Sequence, residues 1–201
     1  MLVSASRLIG YPVLSLHVGG AIAWTTEEIV EPESLKIIGF YGAGPIIKND
    51  PEVGDILDTR DVREFSNLGM IVNSEDVFTR EGEVKKIDQT LELEFSLIGL
   101  KVETKKGSKL GKIVDYTVNT DNFSVQQLIV KRPTLKALVD PELVVPRREI
   151  VEITDYKVIV KDEEAKIKKV ATKEDFIPNF VNPFREPDFS TSRARKTKIP
   201  Q

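Results

Sequence analysis

The sequence contains no cysteine and only one histidine, His17, among its 201 residues. Without cysteine the chain cannot form a disulfide, supply a thiol nucleophile or bind a metal through thiolates. With one histidine it cannot build a multi-histidine metal site, and a Ser-His-Asp triad would have to include His17. We therefore predict no catalytic residue, no cofactor and no metal site, and we expect that the protein is not an enzyme.

The chain also lacks a strong excess of either charge. Its 29 lysines and arginines against 32 acids give a net charge of −3, so no global basic field would attract nucleic acid. Hydrophobic residues make up 40% and charged residues 30%, which is typical of a folded chain. The length predicts one large domain or two small ones.

No long hydrophobic run suits a membrane helix. The uncharged stretch 8–24 is at the short limit for a spanning helix and contains Pro12 and the Gly19-Gly20 pair. A signal peptide would need a basic start, and only Arg7 precedes this stretch. We therefore predict a cytoplasmic protein without membrane insertion.

Four sequence blocks recur in the same order at an offset of 88 or 89 residues. They are Leu8-Ile9-Gly10 with Leu97-Ile98-Gly99, Leu35/Ile37/Phe40 with Phe123/Val125/Leu128, 60–65 with 148–153, and 70–72 with 158–160. Collinear blocks indicate a duplicated domain. We predict a first repeat over 1–88, a second over 89–164, and a separate segment over 165–201.

The second repeat shows how each repeat begins. Its stretch 97–113 alternates apolar and charged residues around Gly107, the pattern of two strands joined by a tight turn. By analogy, 8–24 forms a hairpin that turns at Gly19-Gly20. Close-spaced β-branched runs continue through each repeat. We predict a mainly β protein of two tandem small β-barrels with an irregular C-terminal tail.

The order of these segments resembles the PRC-barrel domain, a small β-barrel found in the photosynthetic reaction centre H subunit and in a bacterial ribosome maturation factor. Leu97-Ile98-Gly99 with Val102 resembles its opening strand. The run 143–146, followed by Ile150 and Ile153, resembles its closing segment. The resemblance covers residues 3–162, and the first repeat departs from it where 56–59 lacks the proline. It implies a binding or assembly module without a catalytic residue set.

Three weaker patterns each have a plainer structural explanation. The segment 107–113 resembles a phosphate-binding loop, but only three residues separate its glycines and Ile113 replaces the Ser or Thr, so we favour a hairpin turn. Asp55, Asp58 and Asp61 could hold a hard cation, but we favour a solvated connection. The glycine-rich segment 39–44 is not followed by a helix pattern, so we interpret it as a loop.

The candidate partner-binding residues fall into two groups. The first group is aromatic and lies in the first repeat: Tyr11, Trp24, Phe40 and Tyr41. Their counterparts in the second repeat are aliphatic: Leu100, Ile113, Leu128 and Ile129. Full burial would exclude any of the four aromatic residues from an interface. The tail supplies Phe180, Phe184 and Phe189, which either pack on the barrels or anchor a partner, and the basic residues Arg193, Arg195, Lys196 and Lys198.

We therefore expect a non-enzymatic adaptor that binds an unidentified protein partner through its tandem barrels. A first alternative is an accessory factor in RNA processing or ribosome maturation, in which the basic tail contacts RNA and a barrel binds a ribosomal protein. A second alternative is docking onto a membrane-associated complex. The oligomeric state stays open.

Overall fold

The computed structural model describes residues 1–44, 47, 54–133 and 141–162, and the structural statements below concern this part of the chain. Within it the protein is mainly β. The strands of the first half are β1 (Leu2–Ser4), β2 (Pro12–Ser15), β3 (Gly20–Glu31), β4 (Lys36–Ala43), β5 (Ile56–Asp58), β6 (Glu64–Ser66), β7 (Gly69–Val72) and β8 (Phe78–Thr79).

The second half repeats this succession of short strands. Its strands are β9 (Lys101–Thr104), β10 (Lys109–Asn119), β11 (Ser124–Lys131), β12 (Glu142–Pro146), β13 (Ile150–Thr154) and β14 (Lys157–Val160). The helix α1 (Lys85–Leu91) lies between the halves, and four 3-10 turns cover Ala5–Arg7, Thr59–Asp61, Glu75–Val77 and Arg147–Glu149. The mainly β prediction is confirmed.

Strand pairing has the same plan in both halves. β2 pairs antiparallel with β3 and parallel with β7, and β9 likewise pairs antiparallel with β10 and parallel with β14. The equivalents Val13 and Val102 both occupy the parallel pair, opposite Met70 and Val158. Val13 and Val102 lie 89 positions apart in the sequence, and Met70 and Val158 lie 88 positions apart. The sequence repeat therefore corresponds to a repeat of strand pairing.

The stretch 8–24 contains the predicted hairpin, formed by β2 and β3. Gly19 in its turn has a φ of +72°, and Gly107 in the equivalent turn has +81°. These are left-handed conformations that glycine adopts without steric cost. One predicted equivalence is wrong, because Pro12 pairs with Trp24 as Lys101 pairs with Lys112. The counterpart of Trp24 is therefore Lys112 and not Ile113. The reason is the turn, because seven positions separate the paired residues Leu14 and Ala21 whereas six separate their equivalents Glu103 and Lys109.

The two halves join along β4 and β11, where equivalent residues meet. Ile37 N donates to Phe123 O, and Val125 N donates to Leu35 O, each at 2.9 Å. Residue 35 is equivalent to residue 123, and residue 37 is equivalent to residue 125, at the offset of 88. Replacing each residue of one hydrogen bond by its equivalent therefore gives the other hydrogen bond. This reciprocity is the signature of a two-fold relation, here between the halves of one chain. β1 adds a second connection by pairing with β10.

Buried side chains from both halves form one hydrophobic cluster across this junction. Phe123 lies between Phe40 and Phe65, with ring centroids 6.0 Å and 6.4 Å away in edge-to-face geometry. Such aromatic pairs add about 0.5–1.5 kcal/mol each beyond the area that they bury. The Tyr116 hydroxyl donates to Glu28 Oε1 at 2.9 Å, again between equivalent positions. Packing at the junction therefore stabilises both halves together.

Candidate functional site

A groove of about 580 Å³ lies across β9, β10 and the end of β11 in the second half. Five cationic side chains line it, and we call this surface the lysine groove: Lys101, Lys109, Lys112, Lys131 and Arg132. Their chain neighbours Val102, Ile113 and Val130 are at most 1% exposed. Because side chains alternate between the two faces of a strand, burial of these apolar neighbours turns the lysines outward.

Three of the lysines form a row across adjacent strands. Lys101 is the register partner of Lys112, which is also the partner of Lys131. Neighbouring strands lie about 4.8 Å apart, so the Cα atoms of these three lysines lie within roughly 10 Å. Like charges directly opposite one another in a sheet are destabilising. The free protein therefore carries an electrostatic cost at this groove that an anion would relieve.

Little negative charge in the groove compensates this row. The one carboxylate among its lining residues is Glu103, and Glu103 Oε2 already accepts a hydrogen bond from Lys157 Nζ at 3.3 Å. Within the described ranges, the structure shows no ion pair for any of the five groove cations. The groove is therefore a local cationic surface on a chain whose net charge is negative.

Close approach of two backbones shapes the groove. A Cβ on Gly111 would lie 2.0 Å from Lys131 O, and Gly111 has a φ of +150°. The position therefore accepts only glycine without a shift of β10 against β11. The register that aligns the lysine row depends on this contact.

The equivalent surface of the first half has the opposite chemistry. The pairing pattern places Pro12, Ala21, Trp24, Ala43 and Gly44 at the positions that the five cations occupy in the second half. Leu14 is the equivalent of Glu103, and its register partner in β7 is Ile71. We call Pro12, Leu14, Leu16, Ala21, Trp24 and Ile71 the Trp24 face. Equivalent surface positions are thus apolar in one half and cationic in the other.

The Trp24 face is accessible. Trp24 is 42% exposed and Leu16 is 57% exposed. A Cβ on Gly69 would lie 2.8 Å from Leu14 Cγ, so the β6–β7 turn contacts this face, and Leu68 in that turn is 78% exposed. Large apolar side chains grouped in this way are typical of surfaces that bind other molecules.

The structure separates the four aromatic residues proposed for the first repeat. Trp24 is exposed, but Phe40 has no exposed surface, so its assignment to an interface is wrong: β4 turns its side chain into the shared core. The Tyr11 ring stacks on Phe65 with centroids 4.9 Å apart, and its hydroxyl donates to Ser66 O. Burial raises the pKa of the Tyr11 hydroxyl. Tyr11 therefore attaches β6 to the hairpin.

Tyr41 is half-buried and has a local partner. Its hydroxyl donates to Glu81 Oε1 at 2.8 Å. Burial and the Glu81 carboxylate raise the pKa of Tyr41 to about 12. The seven candidate residues of the tail lie outside the described residues: Phe180, Phe184, Phe189, Arg193, Arg195, Lys196 and Lys198.

Another cleft, of about 590 Å³, lies between the halves, and several of its charges are paired. Arg60 Nη2 lies 2.6 Å from Asp58 Oδ2, and Arg60 N donates to Asp58 Oδ1 at 2.8 Å. Lys86 Nζ lies 3.0 Å from Glu31 Oε1. Asp58 therefore begins the 3-10 turn at 59–61 and is not free for a cation. This cleft offers a ligand less unsatisfied charge than the lysine groove does.

Comparison with known protein families covers the second half of the chain. The model of the PRC-barrel domain matches residues 94–167. The chain carries a PRC-barrel domain. This domain contains β9 to β14 and the whole lysine groove, whereas the Trp24 face lies outside the matched segment. A search among curated proteins gives no match.

The PRC-barrel match indicates a non-catalytic domain and does not specify a partner. None of the helices in the described part of the chain combines the length and the apolar character needed to cross a membrane. The groove lysines were missed by the sequence analysis because they are scattered over 101–132 and the net charge is negative. The alternation of lysines with apolar residues in 97–113 was the available signal.

Proposed function

We propose that the protein is a non-enzymatic adaptor whose Trp24 face binds the apolar surface of a partner protein. The observation that supports this most directly is the chemical difference between two equivalent surfaces. Where the PRC-barrel half exposes lysines, the first half exposes Trp24 and Leu16. Apolar side chains at an exposed position lower solubility, so a binding role explains why this surface is not polar.

Charge complementarity limits the kind of partner. The six residues of the Trp24 face are uncharged, and the charged residue in register beside them is Glu64, the partner of Ile71. A charged partner surface would therefore lose hydration and gain little by ion pairing. An apolar surface would instead be buried favourably, at about 25 cal/mol per Å². Tryptophan is also enriched among the residues that dominate interface energies. We therefore assign Trp24 as the central contact.

The test uses Trp24→Lys, which introduces the residue type of the equivalent position, Lys112. Leu93→Lys is the matched control, since Leu93 is 55% exposed and lies outside the Trp24 face. Affinity capture should recover the same proteins with the wild type and with Leu93→Lys. Trp24→Lys should lose them, with binding at least about 30-fold weaker for a purified partner.

A direct measurement follows from composition, because Trp24 is the only tryptophan in the chain. Its emission should shift to shorter wavelength when a purified partner covers it. Equal capture by Trp24→Lys and the wild type would refute the proposal. A concentration-dependent dimer that Trp24→Lys abolishes, measured by light scattering, would also refute it, because a second copy would then occupy the face.

The RNA-linked alternative depends on the basic tail, which lies outside the described residues. No specific contact in the described residues favours docking onto a membrane-associated complex.

A further inference from the structure

We propose that the lysine groove of the PRC-barrel domain binds the phosphodiester backbone of single-stranded nucleic acid. This site is separate from the Trp24 face and does not depend on a protein partner there. The groove is concave and lies across three adjacent strands. It presents five cations and one carboxylate, and that carboxylate is bound to Lys157.

The lysine row is the first argument for a polyanion. Lys101, Lys112 and Lys131 are opposite one another in register, an arrangement that raises the free energy of the unbound protein. A single chloride could screen one of them, but a chain of phosphates can neutralise the row and release its counterions together. The repeat supplies an internal comparison, because the same fold tolerates Pro12 and Trp24 at two of these positions.

The cations of the groove can contact a phosphate backbone without reading its sequence. Four of the five are lysines, compact point charges that bind phosphate oxygens without a fixed geometry. The fifth, Arg132, has a guanidinium fork that matches phosphate and carboxylate alike, so a comparison with a glutamate peptide distinguishes these two anions. The concave shape favours a flexible strand over the flat surface of a bilayer.

An exposed aromatic residue lies beside the groove. Tyr156 is 70% exposed in the turn between β13 and β14, and its successor Lys157 is the register partner of Lys101. Bases of a single strand stack on such side chains, whereas duplexes keep their bases covered. Tyr156 therefore adds a contact that selects single strands without reading their sequence.

Binding is measured with the full-length protein and fluorescein-labelled 12-nucleotide strands of uridine or thymidine, by fluorescence anisotropy. If four or five phosphates are neutralised, the logarithm of the binding constant should fall with the logarithm of salt concentration with a slope of about −3 to −3.5. Equal binding of both strands assigns the site to the shared phosphate backbone. A preference for uridine strands assigns it to RNA, and either result supports the proposal.

The decisive variant is the double substitution Lys112→Glu with Lys131→Glu. Its matched control is Lys36→Glu with Lys85→Glu, which changes the net charge equally at exposed lysines outside the groove. The groove variant should weaken binding at least about 10-fold and make the salt slope shallower by about 1.4. The control variant should retain most of the affinity. Circular dichroism spectra and melting curves check that both variants fold.

A tail variant distinguishes the groove from the basic terminus. Replacing Arg193, Arg195, Lys196 and Lys198 by serine should leave most of the binding intact. Loss of binding in this variant alone would overturn the proposal and assign the contact to the tail. Equal losses in the groove and control variants would also overturn it, because only net charge would then matter.

Two further arms test the ligand class. A 12-residue glutamate peptide or vesicles containing anionic lipid that bind as tightly as the strands at equal salt would overturn the assignment to nucleic acid. Tyr156→Ala should weaken uridine-strand binding about 5-fold or more and leave an abasic strand unaffected, because only bases can stack. An equal effect on both strands would refute the stacking contact.

Discussion

Removing one hydroxyl group at the junction tests whether the two halves stabilise each other. Tyr116 is fully buried and its hydroxyl donates to Glu28 Oε1 at 2.9 Å. A hydrogen bond to a charged group contributes about 1.5–3 kcal/mol, and half-burial of Glu28 places this bond near the lower end. We expect Tyr116→Phe to lower the free energy of unfolding by about 1.5–2 kcal/mol.

Tyr41 provides a matched comparison within the same chain. Its hydroxyl donates to Glu81 Oε1 at 2.8 Å, but Glu81 is exposed. Since water competes for both groups, Tyr41→Phe should cost about 0.5 kcal/mol or less. The two bonds are nearly equal in length, so the comparison isolates burial.

Urea unfolding followed by circular dichroism measures both variants. For a chain of this size, Tyr116→Phe should lower Tm by about 3–8 °C. A double-mutant cycle with Glu28→Ala should give a coupling energy of about 1 kcal/mol between the two residues. Equal costs for the two tyrosine variants, or no coupling between Tyr116 and Glu28, would refute the reasoning that the junction is a shared buried interface.

Two other perturbations test the register and the tyrosines. Gly111→Ala should lower the free energy of unfolding, measured by thermal unfolding, by about 3 kcal/mol or more because of the contact with Lys131 O. Gly99→Ala, at φ +88° with open space, should lower it by only about 1–2 kcal/mol through backbone strain. Equal costs would contradict the close approach at Gly111. Burial and Glu28 raise the pKa of Tyr116, as burial and Glu81 raise that of Tyr41. As pH rises, the unfolded chain therefore releases these two protons at a lower pH than the folded chain does. The free energy of unfolding should be constant below about pH 10 with respect to these groups and should fall as the pH rises towards 12. Urea midpoints at pH 9 and 11 should differ less in Tyr116→Phe than in the wild type, and an unchanged difference would contradict this assignment.

The relation between the halves has a functional consequence. A duplicated fold has two copies of each surface. If both copies bound the same partner, we would expect them to carry similar side chains. Here the equivalent surfaces contain Trp24 in one half and Lys112 in the other. Their divergence supports two binding surfaces of different chemistry on one rigid core, as the adaptor proposal requires.

Local sequence patterns were enough to predict the repeat and the hairpins. Alternation in 97–113 and the glycines at 19 and 107 specify strands and turns that depend on neighbouring residues only. The PRC-barrel resemblance was carried by the same local segments. Such signals do not specify cross-strand register, and the counterpart of Trp24 was misplaced by one residue for this reason.

The candidate site was less predictable. Trp24 was proposed from the sequence and is exposed, but Phe40 was proposed on the same grounds and is fully buried. Both are aromatic replacements in β-rich segments, and only the direction in which each strand turns its side chain separates them.

What the sequence determined by itself is the internal duplication, the mainly β fold and the opening hairpin of each half, because periodicity and glycine placement act over short distances. The tertiary structure decided which residues become surfaces. Lys101, Lys112 and Lys131 are far apart in sequence and meet only because the bulged register of β9, β10 and β11 aligns them. The physical reason is that charge acts through space, whereas the sequence orders residues along the chain.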